Sequence, residues 1–192
     1  MAGKQAKILT NDQVASLLDF ATFQTCWPVR NRLLVLLSLK AGLRAGEISN
    51  LTWDMVLDGS GAIGPTIDLP DRAAKKGSGR RIPIHSDLCA ALIGWRDLAG
   101  SAGPVIKSER GAALTPASVA NWFALAYRAV GLTGCSSHSG RRTFITRAAR
   151  LVHRAGGSLR DVQVLAGHSS IQTTQRYIDG DSDAQRRLVR LI

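Results

Sequence analysis

The stretch Gly167–Tyr177, GHSSIQTTQRY, places one of the two tyrosines of the sequence nine residues after a glycine-histidine turn. A tyrosine is usually an amphipathic packing residue, with an apolar ring and a polar hydroxyl. The same hydroxyl can act as a nucleophile when neighbouring groups activate it. Taken alone, the stretch leaves both interpretations of Tyr177 open, and the rest of the sequence has to distinguish them.

The chain is strongly basic. It has 25 Lys and Arg against 14 Asp and Glu, a net charge of +11 over 192 residues, and such an excess favours a polyanionic partner. Between residues 110 and 160 there are eight arginines and no acidic residue. This segment suits a surface that faces phosphates, although a solubilising basic face would have the same composition.

The length is sufficient for one domain with its own hydrophobic core. Three widely spaced cysteines, Cys26, Cys89 and Cys135, fit no metal-ligand or CxxC pattern, so we expect reduced, buried thiols and a cytoplasmic protein. No apolar run reaches the roughly 20 residues of a membrane span, and the N-terminus lacks the apolar core of a signal peptide. We therefore expect no membrane partner, no metal and no cofactor.

Helical signals dominate the pattern. The segment 30–42, RNRLLVLLSLKAG, is apolar nearly all round and predicts a buried helix that stops at Gly42. Further helices are predicted over segments 86–100, 115–131, 138–156 and 158–167. A first helix is predicted over segment 10–21, TNDQVASLLDFA, where Thr10 and Gln13 form a start signal. Start signals also mark two of the later helices: Thr115 with Pro116, and Ser158 with Asp161.

The sequence pattern changes from helical to strand-like between Ala62 and Ile84. Two short runs with β-branched residues, IGPTIDLP and RRIPI, flank the polar, basic segment DRAAKKGSG. This pattern predicts a small antiparallel hairpin or a three-stranded sheet. The expected fold class is therefore α+β, mainly α-helical with a small antiparallel β-sheet.

Four short segments carry reactive or basic side chains where predicted secondary-structure elements begin or end. They are GLRAGE (42–47), AKKGSGRRIP (74–83), HSGRRTF (138–144) and GHSSIQTTQRY (167–177). In the third, His138 and Arg141 stand three residues apart at the start of a helix, where the helix dipole favours an anion. Each segment alone also has an ordinary interpretation. Arg44 could form a surface salt bridge with Glu47, and His138 could be a helix cap.

Together the four segments resemble the catalytic domain of the tyrosine recombinases, the phage-integrase family, in the family's order from about Ile8 to about Asp179. The matching positions are Gly42-Leu43-Arg44 with Glu47, Lys75 five residues before Arg80 and eight before Pro83, His138 and Arg141 followed by Thr143 and Phe144, and Gly167-His168 nine residues before Tyr177. The joint spacing is far more specific than any single motif. The resemblance implies a DNA breaking-rejoining fold.

The resemblance also implies the catalytic residues: Arg44, Lys75, His138, Arg141, His168 and Tyr177. Two planar guanidiniums can neutralise the charge that develops on a five-coordinate phosphorus without a metal. A phenol is mostly un-ionised at neutral pH, so the nucleophile needs positive charge and a proton acceptor nearby. Tyr127, inside the apolar helix NWFALAYRAV, is expected to be core.

The family assigns the remaining roles. His138 would help to activate the tyrosine, and His168 would donate a hydrogen bond to the phosphate. A lysine on a mobile hairpin would protonate the departing 5′ oxygen; Lys75 is expected here, with Lys76 as the neighbouring alternative. The product would be a 3′-phosphotyrosyl link that is rejoined to another 5′ hydroxyl without ATP.

The length resembles that of the short fimbrial-switch invertases and compact integrases of mobile elements. We expect residues 1–192 to form a single catalytic domain without the N-terminal core-binding domain of most family members. The expected partners are double-stranded DNA, a homotetramer on two DNA sites, and accessory DNA-bending or directionality proteins. The expected setting is bacterial or phage-encoded, associated with the nucleoid.

Two other functions stay open from the sequence. A type IB topoisomerase uses the same attack but relaxes supercoils as a monomer, without two specific sites. A catalytically idle DNA-binding regulator derived from the family would bind DNA without forming the covalent link. The presence of all six expected catalytic residues favours a site-specific recombinase, performing integration, excision or inversion, over the idle regulator.

Overall fold

The computed structural model describes residues 6–74, 77–177, 189–190 and 192. The described elements are α1 (Asn11–Phe23), α2 (Pro28–Lys40), α3 (Ala45–Asn50), β1 (Thr66–Leu69), β2 (Arg80–Pro83), α4 (Ser86–Ala99), α5 (Pro116–Ala129), α6 (Ser139–Leu151), α7 (Leu159–Ala166) and α8 (Ile171–Gln175). The mainly helical α+β class is confirmed. Within these ranges, no helix has the length and apolar character needed to cross a bilayer.

The predicted helix starts are confirmed by their capping hydrogen bonds. Thr10 and Gln13 form a reciprocal capping box at α1, with N–O distances of 3.0 and 3.3 Å. At α5, the Thr115 hydroxyl accepts the Ser118 N–H at 3.1 Å. Because these residues satisfy the free N–H groups of the first turn, each helix begins where local sequence supplies an acceptor.

Helix α2 is the centre of the main core, as its apolar sequence predicts. Nine of its 13 residues are buried, and α1, α4 and α6 pack around it. Directly after it, Gly42 adopts φ +63°, and a side chain there would collide with the ring of Phe144 on α6. Glycine therefore lets the end of α2 approach the helix that carries Arg141.

The small sheet has two antiparallel strands in the described chain, so the hairpin alternative is confirmed and the three-stranded one is wrong. Ile67 pairs with Ile82, and both side chains are buried against the main core. The connection between the strands carries Lys75 and Lys76, which lie outside the described residues.

A second, smaller core fixes the C-terminal helices. It contains five buried residues of α6, α7 and the adjoining backbone: Ile145, Ala149, Val152, Val162 and Ala166. Tyr177 packs against this cluster. The short helix α8 was not predicted, because five residues are too few to show a helical period.

The expectation of buried thiols is wrong. Cys26 is exposed, and Cys89 and Cys135 are half-buried. Cys26 lies in the connection between α1 and α2, and Cys135 lies in the turn before α6, where it packs against the main core without being fully buried.

Candidate active site

A cavity of about 440 Å³ collects side chains from distant parts of the chain. Its lining residues are Ala6, Arg44, Ser136, His138, Arg141, Arg142, His168, Thr173, Arg176 and Tyr177. Five of the six residues predicted from the sequence line this one cavity, although their positions run from 44 to 177. The sixth, Lys75, and its alternative Lys76 lie outside the described residues.

Arg44 is fixed by Glu47 at the start of α3. One Glu47 oxygen accepts the backbone N–H of Arg44 at 2.9 Å, and the other accepts its Nη1 at 2.6 Å. Glu47 is only 1% exposed. The ordinary interpretation of a surface salt bridge is therefore wrong, because the carboxylate holds Arg44 from the interior.

Arg80 is a buried partner of Glu47. In the sequence it served only to define the spacing from Lys75. Its Nη1 and Nη2 each donate to a different oxygen of Glu47 at 3.0 Å, and its Nε donates to the Leu165 carbonyl at 2.9 Å. Such a bidentate pair fixes direction as well as distance. Arg80 thereby connects β2 to α3 and to the end of α7.

A signal for Arg80 was present in the sequence. Residues of a strand alternate between its two faces, and in β2 the burial pattern places Arg80 beside Ile82 on the inner face, while Arg81 and Pro83 face outward. A basic residue on the inner face of a strand needs a buried anionic partner. The alternation therefore points to a partner of Arg80, but not to which one.

The charge of Glu47 is secured by its neighbours. Burial alone would raise the pKa of the Glu47 carboxyl, but the hydrogen bonds and charges of Arg80 and Arg44 outweigh it and lower the pKa to about 2. Glu47 is consequently ionised at neutral pH. One carboxylate thus orients two guanidiniums in a buried network.

Arg141 lies in the first turn of α6 and is 4% exposed. Its Nη1 donates to the Gly42 carbonyl at 2.6 Å and its Nη2 to the Ala166 carbonyl at 2.5 Å. Burial, followed by the charge of Arg44, lowers the pKa of Arg141 to about 10, so it stays protonated at neutral pH. A guanidinium has five N–H donors, and Arg141 retains donors for an anion in the cavity.

His138 is the N-cap residue of α6 and is exposed at the edge of the cavity. In the described structure its side chain makes no capping hydrogen bond to this helix. The backbone of the turn is instead fixed by Ser139, whose hydroxyl accepts the Ser136 N–H at 3.0 Å. The interpretation of His138 as a side-chain cap is therefore wrong, and its imidazole faces the same cavity as Arg141.

His168 is positioned by a glycine turn at the end of α7. Gly167 has φ +60°, and a Cβ at this position would lie 3.0 Å from Arg80 Cδ. Gln163 then fixes the backbone of His168, since its Nε2 donates to the His168 carbonyl at 2.9 Å. The motif needs glycine here for both its backbone conformation and its contact with Arg80.

The imidazole of His168 is neutral at physiological pH. Burial lowers its pKa most, followed by the charges of Arg141, Arg44 and Arg80, and the result is about 4. Its Nδ1 lies 3.0 Å from the hydroxyl oxygen of Thr174. His168 can therefore serve a ligand as a neutral hydrogen-bonding group.

Tyr177 contacts two side chains of the cavity, His168 and Arg142. Its ring stacks on His168, with centroids 5.4 Å apart and an interplanar angle of 26°. The guanidinium carbon of Arg142 lies 5.7 Å from the centre of the same ring. In contrast, Tyr127 is 1% exposed, which confirms its predicted place in the core. Arg142 and Thr174 were not among the predicted site residues.

The segment before α1 closes one side of the cavity. Ala6 lines it, and Leu9 is attached to α6, since its N–H donates to Thr143 Oγ1 at 2.9 Å. Arg147, also on α6, donates to the side chain of Asn11 at 2.8 Å. The N-terminal segment is thus fixed to the helix that carries Arg141.

Comparison with known proteins agrees with this arrangement. The phage integrase family model matches residues 7–183. Tyrosine recombinase XerC of Myxococcus xanthus is 31% identical over 186 residues, which cover 89% of this chain and 57% of that protein. Its counterpart in Xanthomonas campestris pv. campestris strain B100 is 33% identical and is covered to 51%. The chain thus spans little more than half the length of these relatives.

Solved structures share the fold. A crystal structure of XerA recombinase has a TM-score of 0.76 at 23% identity, over 98% of this chain and 65% of that one. A lambda integrase dimer bound to a COC′ core site has a TM-score of 0.71 at 23% identity, over 95% of this chain and 50% of that one. At this level of identity, the structures support the architecture of the chain.

Proposed function

The chain belongs to the phage integrase family, the tyrosine recombinases, and we propose that it is a site-specific DNA strand transferase that acts through a 3′-phosphotyrosyl intermediate. One observation carries the proposal. A tyrosine, two histidines and four arginines, among them Arg44 and Arg141, line a single cavity. This set supplies a nucleophile, proton-transfer groups and anion-binding donors for one phosphodiester.

The proposed cleavage step is an in-line displacement at phosphorus. The oxygen of Tyr177 forms a bond to the scissile phosphorus, and the bond from phosphorus to the 5′ oxygen breaks. Arg44 and Arg141 hold the two non-bridging oxygens and stabilise the charge that develops on them. Because one phosphate ester replaces another, a 5′ hydroxyl can attack the phosphotyrosine and rejoin the strand without ATP.

Protons move in two places in this mechanism. Tyr177 loses its proton as it attacks, and His138 is the proposed acceptor. The departing 5′ oxygen gains a proton from Lys75, or from Lys76 if the register differs by one residue. His168 donates a hydrogen bond to the phosphate. The network of Glu47 and Arg80 supports Arg44 from behind.

The proposed partners follow from this chemistry and from the basic composition. Double-stranded DNA is the substrate, and the segment 110–160, with eight arginines and no acidic residue, is proposed to face its phosphates. The lambda integrase structures include a dimer on a core site and a tetramer on a Holliday junction. By extension, we propose a homotetramer on two sites, assisted by DNA-bending or directionality proteins.

We further propose that residues 1–192 act as one catalytic domain, in the bacterial cytoplasm and in association with the nucleoid. The XerC relatives are bacterial proteins. The direction of the reaction, whether integration, excision or inversion, would be set by the DNA sites and the accessory proteins.

The proposal is tested with nicked suicide substrates made from the DNA that flanks the gene. We expect a covalent protein–DNA adduct on a denaturing gel with the wild type and none with Tyr177→Phe. Tyr127→Phe is the matched control, because it removes the same hydroxyl from the core, and it should form adduct normally. DNA binding without adduct in the wild type would contradict the proposal and favour an idle regulator. Relaxation of supercoiled DNA without two sites would favour a topoisomerase.

A further inference from the structure

His168 and Thr174 form a hydrogen-bonded pair behind the cavity. Nδ1 of His168 lies 3.0 Å from Oγ1 of Thr174, and Thr174 is completely buried. Within the part of the chain that the structure describes, no other hydrogen bond involves this hydroxyl. The hydroxyl of Thr174 is therefore shielded from water, and its single proton has one acceptor available, the Nδ1 atom of His168.

This contact determines where His168 carries its own proton. A neutral imidazole has one N–H and one acceptor nitrogen, and the hydrogen bond at one nitrogen selects the tautomer. If Thr174 donates to Nδ1, the proton of His168 must be on Nε2. Nε2 is on the opposite edge of the ring from Thr174, and His168 lines the cavity.

We propose that Thr174 is a positioning residue that holds His168 in the Nε2–H tautomer, so that His168 acts as a hydrogen-bond donor to an anion and not as a proton acceptor for Tyr177. The inference rests on the proposed DNA-cleavage function for its catalytic meaning. The two histidines then have different roles. His168 binds the phosphate, and His138 accepts the proton of the tyrosine.

Two further observations support this assignment. The low pKa of His168, about 4, keeps the ring neutral, so that a single tautomer can be selected at working pH. The ring also stacks on Tyr177, and Thr174 lies in α8, three residues before that tyrosine. The hydrogen bond therefore fixes the orientation of the donor and of the ring next to the nucleophile together.

The first arm of the test reads the tautomer directly and needs no DNA. Protein labelled with 15N at histidine is examined by NMR, where the nitrogen shifts and two-bond couplings show which ring nitrogen carries hydrogen, and His168→Gln assigns the signals. We expect the proton on Nε2 in the wild type and in Thr174→Ser, which keeps the hydroxyl. In the isosteric Thr174→Val, the ring should lose this preference and populate both tautomers.

The second arm measures cleavage of a suicide substrate under single-turnover conditions. Thr174→Val should lower the cleavage rate by about 10-fold to 100-fold and leave the affinity for DNA within about 2-fold, since the phosphate contacts of the arginines dominate binding. Thr174→Ser should restore most of the rate. Thr146→Val is the matched control, because it removes a buried hydroxyl without a hydrogen-bond partner in the described structure.

The outcomes separate this inference from the proposed function. A wild-type proton on Nδ1 would overturn the inference, and so would a Thr174→Val variant with unchanged tautomer and cleavage rate. An Nε2 proton in a wild-type protein that forms no adduct would support the positioning role and contradict the strand-transferase function. If Thr174→Val does not fold, the inference is still tested by the tautomer of His168 in the wild type and in Thr174→Ser: a proton on Nδ1 in either protein would overturn it.

Discussion

Glu47 and Arg80 meet in the interior with both carboxylate oxygens and both terminal guanidinium nitrogens engaged, at 3.0 Å each. The same carboxylate holds Arg44, and Arg80 also donates to the carbonyl of Leu165, three residues before His168. The position of two cavity residues thus depends on one buried ion pair. Removing one member leaves the other as an unpaired buried charge.

We expect Glu47→Gln to lower the free energy of unfolding by about 3–5 kcal/mol, because it leaves Arg80 without its counter-ion. Cleavage should fall more than DNA binding, since Arg44 loses its orientation. Chemical denaturation and single-turnover cleavage measure the two effects. Asp68→Asn is a suitable control, since it breaks the exposed pair with Arg81 on the same sheet; a similar loss in both variants would contradict the role of the buried pair.

Acid should destabilise the protein in two steps. The pKa of His168 is about 4 in the folded chain, below its ordinary value of 6.5, so the unfolded chain binds a proton first and stability falls between about pH 6.5 and 4. The pKa of Glu47 is about 2 instead of 4.5, so its contribution is lost between about pH 4.5 and 2. The Glu47 step amounts to about 3 kcal/mol, and the His168 step is smaller because solvent screens this half-buried ring.

Denaturation curves between pH 3 and 8 test this dependence. His168→Gln should remove the upper step. Glu47→Gln should reduce the lower one, to which four carboxylates with lowered pKa also contribute: Asp58, Asp68, Asp87 and Asp161. Stability of the wild type that stays constant from pH 7 to pH 4 would contradict the depressed pKa of His168.

Arg142→Met should slow cleavage by about 10-fold without a comparable loss of DNA affinity. The guanidinium of Arg142 lies over the ring of Tyr177, where positive charge attracts the ring and favours the developing phenolate. Arg142→Lys should retain part of the rate, because it keeps the charge. Arg81→Met, on the exposed face of the sheet, should cleave like the wild type. Equal rates for Arg142→Met and the wild type would show that Tyr177 is positioned by other groups.

Gly167→Ala should destabilise the fold and reduce cleavage. The substitution places a Cβ in a left-handed backbone conformation and 3.0 Å from Arg80. Gly156→Ala is the matched control, because Gly156 also has positive φ but has open space around its Cβ position. We expect about 1 kcal/mol from the conformation alone and a larger loss at Gly167. Thermal unfolding of both variants would show the difference, and equal losses would mean that the contact with Arg80 is unimportant.

The predictable part of this molecule is local or motif-based. Capping residues such as Thr10 and Thr115 revealed helix starts, and the apolar run of α2 revealed the buried helix. Of the six catalytic residues that the resemblance implies, the five that the structure describes line one cavity. Each of these features depends on a few neighbouring residues or on a pattern of fixed spacing.

The supporting contacts were not predictable in the same way. Arg80 bonds to a carboxylate 33 positions earlier and to a carbonyl 85 positions later, and sequence spacing carries no information about such pairs. Thr174 and Arg142 are ordinary polar residues in short or basic helices until the fold brings them to His168 and Tyr177. The cysteines show that residue type alone can also mislead. Burial was expected for all three thiols, but Cys26, Cys89 and Cys135 are at least partly exposed to solvent.

The identity of the nucleophile is the central claim, and mass spectrometry of the trapped adduct tests it most directly. After cleavage of a suicide substrate, nuclease digestion and trypsin treatment, a nucleotide should remain on the peptide 177–186, attached to Tyr177. The modification should be absent from Tyr177→Phe and present in Tyr127→Phe. An adduct on any other residue, or one that persists in Tyr177→Phe, would contradict the proposed mechanism.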